Sequence, residues 1–194
     1  YTSTSDLRYV RGKISAWETP QAIDTSGSTG TYNALVLDSA GNPHAITYNA
    51  STDDLRYARS TSKGAAGSWK VDMVQTSGNV GQHSALAIGG DDTLWAAYDN
   101  AGVLTVATLK KGAAWAFQDV ASGAPQYTAI SVGPSNAWDV TYYETAADDR
   151  GHISPAFRKW GGSEQVAQDS GSGTYTDVAV DAAGARSAAL DRRS

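Results

Sequence analysis

The sequence predicts an all-β fold, a β-propeller of four four-stranded blades, and three observations carry that prediction. A unit of four short strand-like segments recurs about every fifty residues, the length of one blade. Apolar residues alternate with small or polar ones inside the segments, the period of a strand rather than a helix. The fourth unit is cut in two, its second half at the start of the chain and its first half at the end. A single four-stranded sheet cannot bury both of its faces, and stacking sheets around an axis does so.

In chain order the segments are named a to d by their place in the unit. The chain opens on a segment c, Leu7–Arg11, and a segment d, Trp17–Ile23. The first whole copy runs Thr31–Asp38, His44–Tyr48, Leu55–Arg59 and Trp69–Val74. The second runs Gln82–Ile88, Leu94–Tyr98, Leu104–Thr108 and Trp115–Val120, and the third Gln126–Val132, Trp138–Tyr142, Ile153–Phe157 and Trp160–Val166. The chain finishes on a and b, Thr174–Asp181 and Arg186–Leu190. Residues 1–194 therefore read as a single propeller domain with blades at about 24–74, 75–120, 121–166 and 167–194 plus 1–23. Pairing 7–11 with 186–190 would close the fourth blade from both termini, two strands from each, and remove its open edges. A closed monomer is the preferred reading, and a ring shared between two copies is the other.

Within segment a, Leu35 and Leu37, Leu86 and Ile88, Ile130 and Val132, and Val178 and Val180 share one face, with Ala34, Ala85 and Ala129 on the other. Bulky residues of one blade are thereby expected to fit the small face of the next. Turn residues fall between a and b at Asp38–Asn42, Gly89–Asp92, Gly133–Asn136 and Asp181–Gly184. Trp17, Trp69, Trp115 and Trp160 open segment d and are expected to pack between blades. Tyr48, Tyr98, Tyr142, Tyr9 and Tyr57 read as core aromatics. Arg8, Arg11, Arg56 and Arg59 read as solvated or cross-strand paired, with a carboxylate-binding cluster as the sharper alternative.

Composition narrows the function. The absence of cysteine removes disulfides and thiolate metal sites. A net charge of -5 without a basic stripe argues against a nucleic-acid partner. No run reaches the roughly 20 apolar residues of a membrane helix, so membrane insertion is not expected. The start at Tyr1, without an initiator Met or signal peptide, fits a processed secreted product, a proteolytic fragment or a trimmed chain. His44, His83 and His152 share no ligand spacing, so no metal or other cofactor is expected, and Asp53–Asp54, Asp91–Asp92 and Asp148–Asp149 sit where turns favour Asp.

The phrases Leu37-Asp-Ser-Ala-Gly-Asn-Pro-His44 and Asp54-Leu-Arg-Tyr-Ala-Arg59, followed by Gly67-Ser-Trp69, resemble the blade repeat of secreted bacterial propellers, the sialidase or BNR-like group and the PLL-type lectins. The resemblance implies an extracellular protein and a carbohydrate partner. It departs from those families in lacking an intact Ser-X-Asp-X-Gly-X-Thr-Trp box, and four copies differ from the seven blades common among them.

Positions that break the fourfold pattern are where function is sought. Segment a begins with Tyr32, His83, Tyr127 and Tyr175, which a propeller would gather at one mouth of its channel. Segment b opens with His44, Leu94, Trp138 and Arg186, of which Trp138 is expected to be exposed. The leading function is non-catalytic, lectin-like glycan binding through Tyr32, His83, Tyr127, Tyr175, Trp138 and Arg186. The alternatives are a polysaccharide lyase or glycosidase using His83 with Tyr32, Tyr127 or Tyr175 as base and acid, and a structural or adhesive protein.

Overall fold

In the computed structural model the chain is all-β, and the structure describes residues 5–144, 154–159, 162–165, 172–183 and 185–192. It forms two compact units, Tyr1–Gly81 and Gln82–Ser194. The three four-stranded sheets are the antiparallel meanders of a β-propeller, each in the predicted order a-b-c-d. Among the described residues no helix is long and apolar enough to cross a membrane, and the one helical element is a 3-10 turn at Pro134–Asn136 between segments a and b.

The first unit contains β1 (Leu7–Tyr9), β2 (Gly12–Lys13), β3 (Ala16–Trp17), β4 (Gln21–Asp24), β5 (Thr31–Leu37), β6 (Pro43–Asn49), β7 (Asp54–Ser60) and β8 (Trp69–Gln75). Strands β5 to β8 make one whole blade. Asp38 shapes its first turn, its Oδ1 accepting the N–H groups of Ala40 and Asn42, while Gly41 takes the φ of 80° that the turn demands. The inner strands β6 and β7 are buried nearly throughout, and the outer β8 alternates with solvent. Strand β1 pairs antiparallel with β4, as expected of segments c and d. Leu7 joins Ala45 and Ala58 in a small core, against which Ile23, Trp69 and Val71 pack.

Trp17 corrects its prediction. It does not open segment d, which begins at Gln21, but ends a separate hairpin of β2 and β3 inserted between c and d. A Cβ at Gly12 would lie 2.6 Å from the Trp17 Cα, so this close approach requires glycine. Ile14 at the hairpin tip is 97% exposed and Trp17 69%. Trp69 behaves as predicted, opening β8 and meeting Tyr9 edge to face at 4.8 Å.

The second unit holds most of β9 (Val80–Ile88), then β10 (Leu94–Asn100), β11 (Val103–Leu109), β12 (Ala116–Ser122), β13 (Pro125–Val132), β14 (Trp138–Glu144), β15 (Ser154–Lys159), β16 (Gly162–Gln165), β17 (Ser172–Val180) and β18 (Arg186–Arg192). Strands β9 to β12 and β13 to β16 are two more whole blades, and β17 with β18 is the predicted a–b half. Strand b of one sheet lies against strand a of the next, β10 on β13 and β14 on β17. Ala97, Leu104, Val106, Ile130, Trp138, Val140 and Tyr142 form the core that results. Trp115 precedes β12 by one residue, and Trp160 lies outside the described residues.

The bulky face of segment a is buried in three copies and open in one. Leu86, Ile130 and Val178 are 8%, 9% and 7% exposed, whereas Leu35 at the equivalent position is 51% exposed. The reason lies in what precedes β5. Residues 1–81 supply only strands c and d of the preceding blade, so its strand b, which would cover Leu35 as β10 covers β13, is not part of that unit.

Candidate functional site

The three described residues at the start of segment a share a backbone conformation that their side chains disfavour. Tyr32, His83 and Tyr127 have φ of 47°, 51° and 49°, the left-handed region rarely entered by residues with a Cβ. The ladders are broken at the same place, between Thr31 and Ala34 in β5 and between Gln126 and Ala129 in β13, as at a β-bulge. A break between Ser172 and Thr176 in β17 puts Tyr175 within the same series; its side chain lies outside the described residues. Two of the three are prepared by a glycine two residues earlier, Gly30 and Gly81, each at positive φ, with a Cβ at Gly81 lying only 2.8 Å from the Leu55 side chain. A bulge re-aims a side chain, and this one re-aims an aromatic ring at the start of each segment a. Such outliers persist where the surroundings hold them, and they cluster at ligand sites.

In the second unit the rings meet. His83 and Tyr127 pack edge to face with centroids 5.0 Å apart, and Tyr127 meets Tyr143 at 6.2 Å and 77°. The Thr128 hydroxyl donates to the His83 carbonyl, and its oxygen also lies 3.3 Å from the Ala97 carbonyl, tying two blades at the site. Burial pushes the His83 imidazole below its ordinary pKa, so the ring is neutral at pH 7. Burial, and then the neighbouring Tyr127, push the Tyr143 phenol above its ordinary value, so it stays a hydroxyl. The cluster thus brings three rings together, one imidazole and two phenols.

In the first unit Tyr32 meets Tyr48 edge to face at 6.0 Å. The Tyr48 hydroxyl lies 2.5 Å from Asp53 Oδ1 and 3.0 Å from Asn79 Oδ1. Tyr32 itself is exposed, held by a fixed partner beneath it.

The other predicted site residues fare differently. Trp138, expected at the surface, is buried with Val140 and Tyr142 and tilts against Trp95 at 6.5 Å. Alternation explains the correction, since 138, 140 and 142 share the core face of β14. Arg186 begins β18, with its side chain outside the described residues. His44 accompanies Tyr57 and Asp38 in a half-buried network, Nδ1 lying 2.5 Å from the Tyr57 hydroxyl and Nε2 3.5 Å from Asp38 Oδ2. His152 and Asp148–Asp149 lie outside the described residues. Arg8, Arg11, Arg56 and Arg59 each face an acid, Asp6, Glu18, Asp24 and Asp72, so they are cross-strand or local pairs rather than one carboxylate clamp. Among the described residues no three His, Asp or Glu side chains converge as a metal site. Tyr143 was not singled out from the sequence, although Tyr142–Tyr143 is the one pair of adjacent aromatic residues in a segment b.

No family model and no curated protein matches the chain. A solved structure is similar to it. That structure is a GH43 glycoside hydrolase whose engineered active site displays both endo-xylanase and exo-arabinofuranosidase activity, with 13% identity and a TM-score of 0.44. The similarity covers 95% of this chain and 43% of that one, so the chain spans less than half the length of its neighbour.

Proposed function

We propose that the protein is a secreted, non-catalytic recognition module that binds carbohydrate at the aromatic residues held on the segment-a bulges. The observation that carries this reading is the positive φ shared by Tyr32, His83 and Tyr127. A ring kept at a costly backbone angle in successive blades is not explained by packing alone, because a strand without the bulge would satisfy the ladder better. Aromatic faces take the C–H faces of sugar rings, and neutral imidazole and phenol groups hydrogen-bond sugar hydroxyls without demanding a charged ligand. Repetition from blade to blade supplies several weak sites whose avidity exceeds any one of them. Tyr127→Ala is expected to lower glycan affinity about tenfold, the loss of one stacked ring and its hydrogen bond, in calorimetric titration of a glycan identified on an array. Undiminished affinity in a folded Tyr127→Ala protein would remove the site.

A second reading, a lyase or glycosidase, rests on the neutral imidazole of His83 beside Tyr127, a base and an acid within one cluster. His83→Tyr separates the two, since tyrosine already occupies this conformation at 32 and 127. Recognition predicts a modest change in affinity and no turnover in either protein. Catalysis predicts turnover in the wild type and a fall of about 10²-fold or more in the variant.

A further inference from the structure

We infer that Thr128 is a positioning residue of the carbohydrate site, holding the ring of His83 against that of Tyr127 through a hydroxyl bond that crosses from one blade to the next. The inference rests on the recognition reading for its ligand, and on geometry alone for the placement of the rings. Thr128 stands on β13 directly after Tyr127. Its hydroxyl donates to the His83 carbonyl on β9, with the Ala97 carbonyl on β10 3.3 Å away. Both carbonyls belong to the blade of β9 to β12, whereas Thr128 belongs to the blade of β13 to β16. One residue thereby reaches both left-handed turns, that of Tyr127 through the peptide bond and that of His83 through the side chain.

The first copy shows why such a hydroxyl is needed. In a bulge the extra residue leaves the ladder, and the peptide groups around it need other partners. At Tyr32 the blade supplies them itself. The Gly30 N–H donates to Thr47 Oγ1 at 2.8 Å, that hydroxyl lies 3.3 Å from the Thr31 carbonyl, and Asn33 Nδ2 donates to the Gly30 carbonyl at 2.7 Å. The second copy has Ala97 where the first has Thr47, each one residue before the segment-b tyrosine, so β10 offers no hydroxyl to the His83 turn. Thr128 provides one from the next blade. The consequence falls on the ring. A left-handed residue with a Cβ persists only where its surroundings hold it. Released toward the extended region, His83 would point its imidazole by the alternation of the strand rather than at Tyr127.

Nuclear Overhauser contacts between ring protons test the placement without a ligand. The wild type is expected to show the Tyr127 ring in contact with both His83 and Tyr143, whose centroids lie 5.0 and 6.2 Å away. Thr128→Val keeps the branched shape and removes the hydroxyl, and it is expected to lose the His83 contact while keeping that of Tyr143, which lies within one blade. Thr128→Ser retains the hydroxyl and is expected to retain both contacts. On a printed glycan array Thr128→Val is expected to bind about tenfold more weakly than the wild type, the cost of one lost hydrogen bond and a displaced ring, with Thr128→Ser close to the wild type. A Thr128→Val protein that keeps the His83 contact overturns the inference, as does one that loses it with unchanged binding. Loss of both contacts, or a Thr128→Ser protein that behaves like Thr128→Val, would make the residue a packing element and overturns it too. Should Thr128→Val fail to fold, Thr128→Ala takes its place with the same expected loss. A wild type that binds no glycan overturns the recognition reading alone, and the ring contacts then decide for Thr128.

Discussion

His83 and Tyr127 meet edge to face across two neighbouring blades, and each is held at a φ near +50°. The contact and the strain belong together. An aromatic pair contributes about 0.5–1.5 kcal/mol beyond its burial, and a left-handed residue with a Cβ costs about 1–2 kcal/mol. For Tyr127, the two ring contacts to His83 and Tyr143 nearly offset its one backbone penalty, so the scaffold gains little from placing a ring there.

That near balance predicts the behaviour of Tyr127→Gly. Glycine relieves the backbone penalty while removing the contacts to His83 and Tyr143, so the melting temperature is expected to move by only a few degrees, with ligand affinity falling at least tenfold. Calorimetry of unfolding and titration with the bound glycan check the two halves. A large loss of stability would identify the rings as a core plug.

The buried ion pair of Asp24 and Arg56 is a second place where one change has a large effect. Arg56 Nε lies 2.6 Å from Asp24 Oδ2, joining β7 to β4, but the N–H is not aligned as a hydrogen bond, so the attraction is ionic. Arg56→Met leaves a buried carboxylate unpaired and is expected to cost about 3 kcal/mol. Adding Asp24→Asn to Arg56→Met is expected to recover part of that loss in denaturant titration. Additive losses would show that the pair is not coupled.

Alkaline stability should reflect two buried phenols. Burial raises the pKa of Tyr98, with Asp119 adding to it, and burial also raises that of Tyr57 despite the opposing charge of Arg59. A phenol whose folded pKa exceeds the unfolded value of about 10 contributes stability fully below that pH and loses it as pH rises further. Stability is therefore expected to fall above about pH 10, and Tyr98→Phe to flatten the fall. An identical alkaline limb in Tyr98→Phe would show that Tyr98 does not titrate in the unfolding equilibrium.

Asp38 sets the opposite limb. Burial pushes its carboxyl up, but hydrogen bonds from the Asn42 side chain and backbone, with His44 beside it, outweigh burial and hold it below the ordinary value. A depressed carboxyl stabilises the fold above its unfolded pKa of about 3.9 and loses that contribution as pH falls through the folded value. Asp38→Asn is expected to weaken the acid dependence of the melting temperature below pH 4, read in a series of thermal scans. Unaltered acid dependence would place the acid-sensitive carboxyl elsewhere.

Much of this architecture is legible in the residues themselves. Alternation from Leu86 to Ile88 and from Ile130 to Val132 marks strand a, and the c–d identity of 7–23 follows from its likeness to 55–74, although β4 starts four residues after Trp17. The same alternation, carried along Trp138, Val140 and Tyr142, already places Trp138 in the core, and treating it as a symmetry-broken surface residue set that aside. The bulges were not legible. Left-handed conformation is signalled by Gly or Asn, and Tyr at 32 and 127 signals strand instead, so only the broken ladders reveal the turn. The inserted hairpin was hidden for a similar reason, since Trp17 matches the Trp of the other copies in sequence but not in environment.

That hairpin gives the protein a spectroscopic asymmetry. Among the described tryptophans Trp17 is the one mostly in water, while Trp69, Trp95 and Trp115 are half-buried and Trp138 is buried. Its indole emits at long wavelength in the native state and meets soluble quenchers freely, whereas the buried rings emit at short wavelength and are shielded. Unfolding therefore shifts the emission of the core rings and leaves that of Trp17 nearly where it was. Trp17 reports on the hairpin, and the other described tryptophans report on the blades.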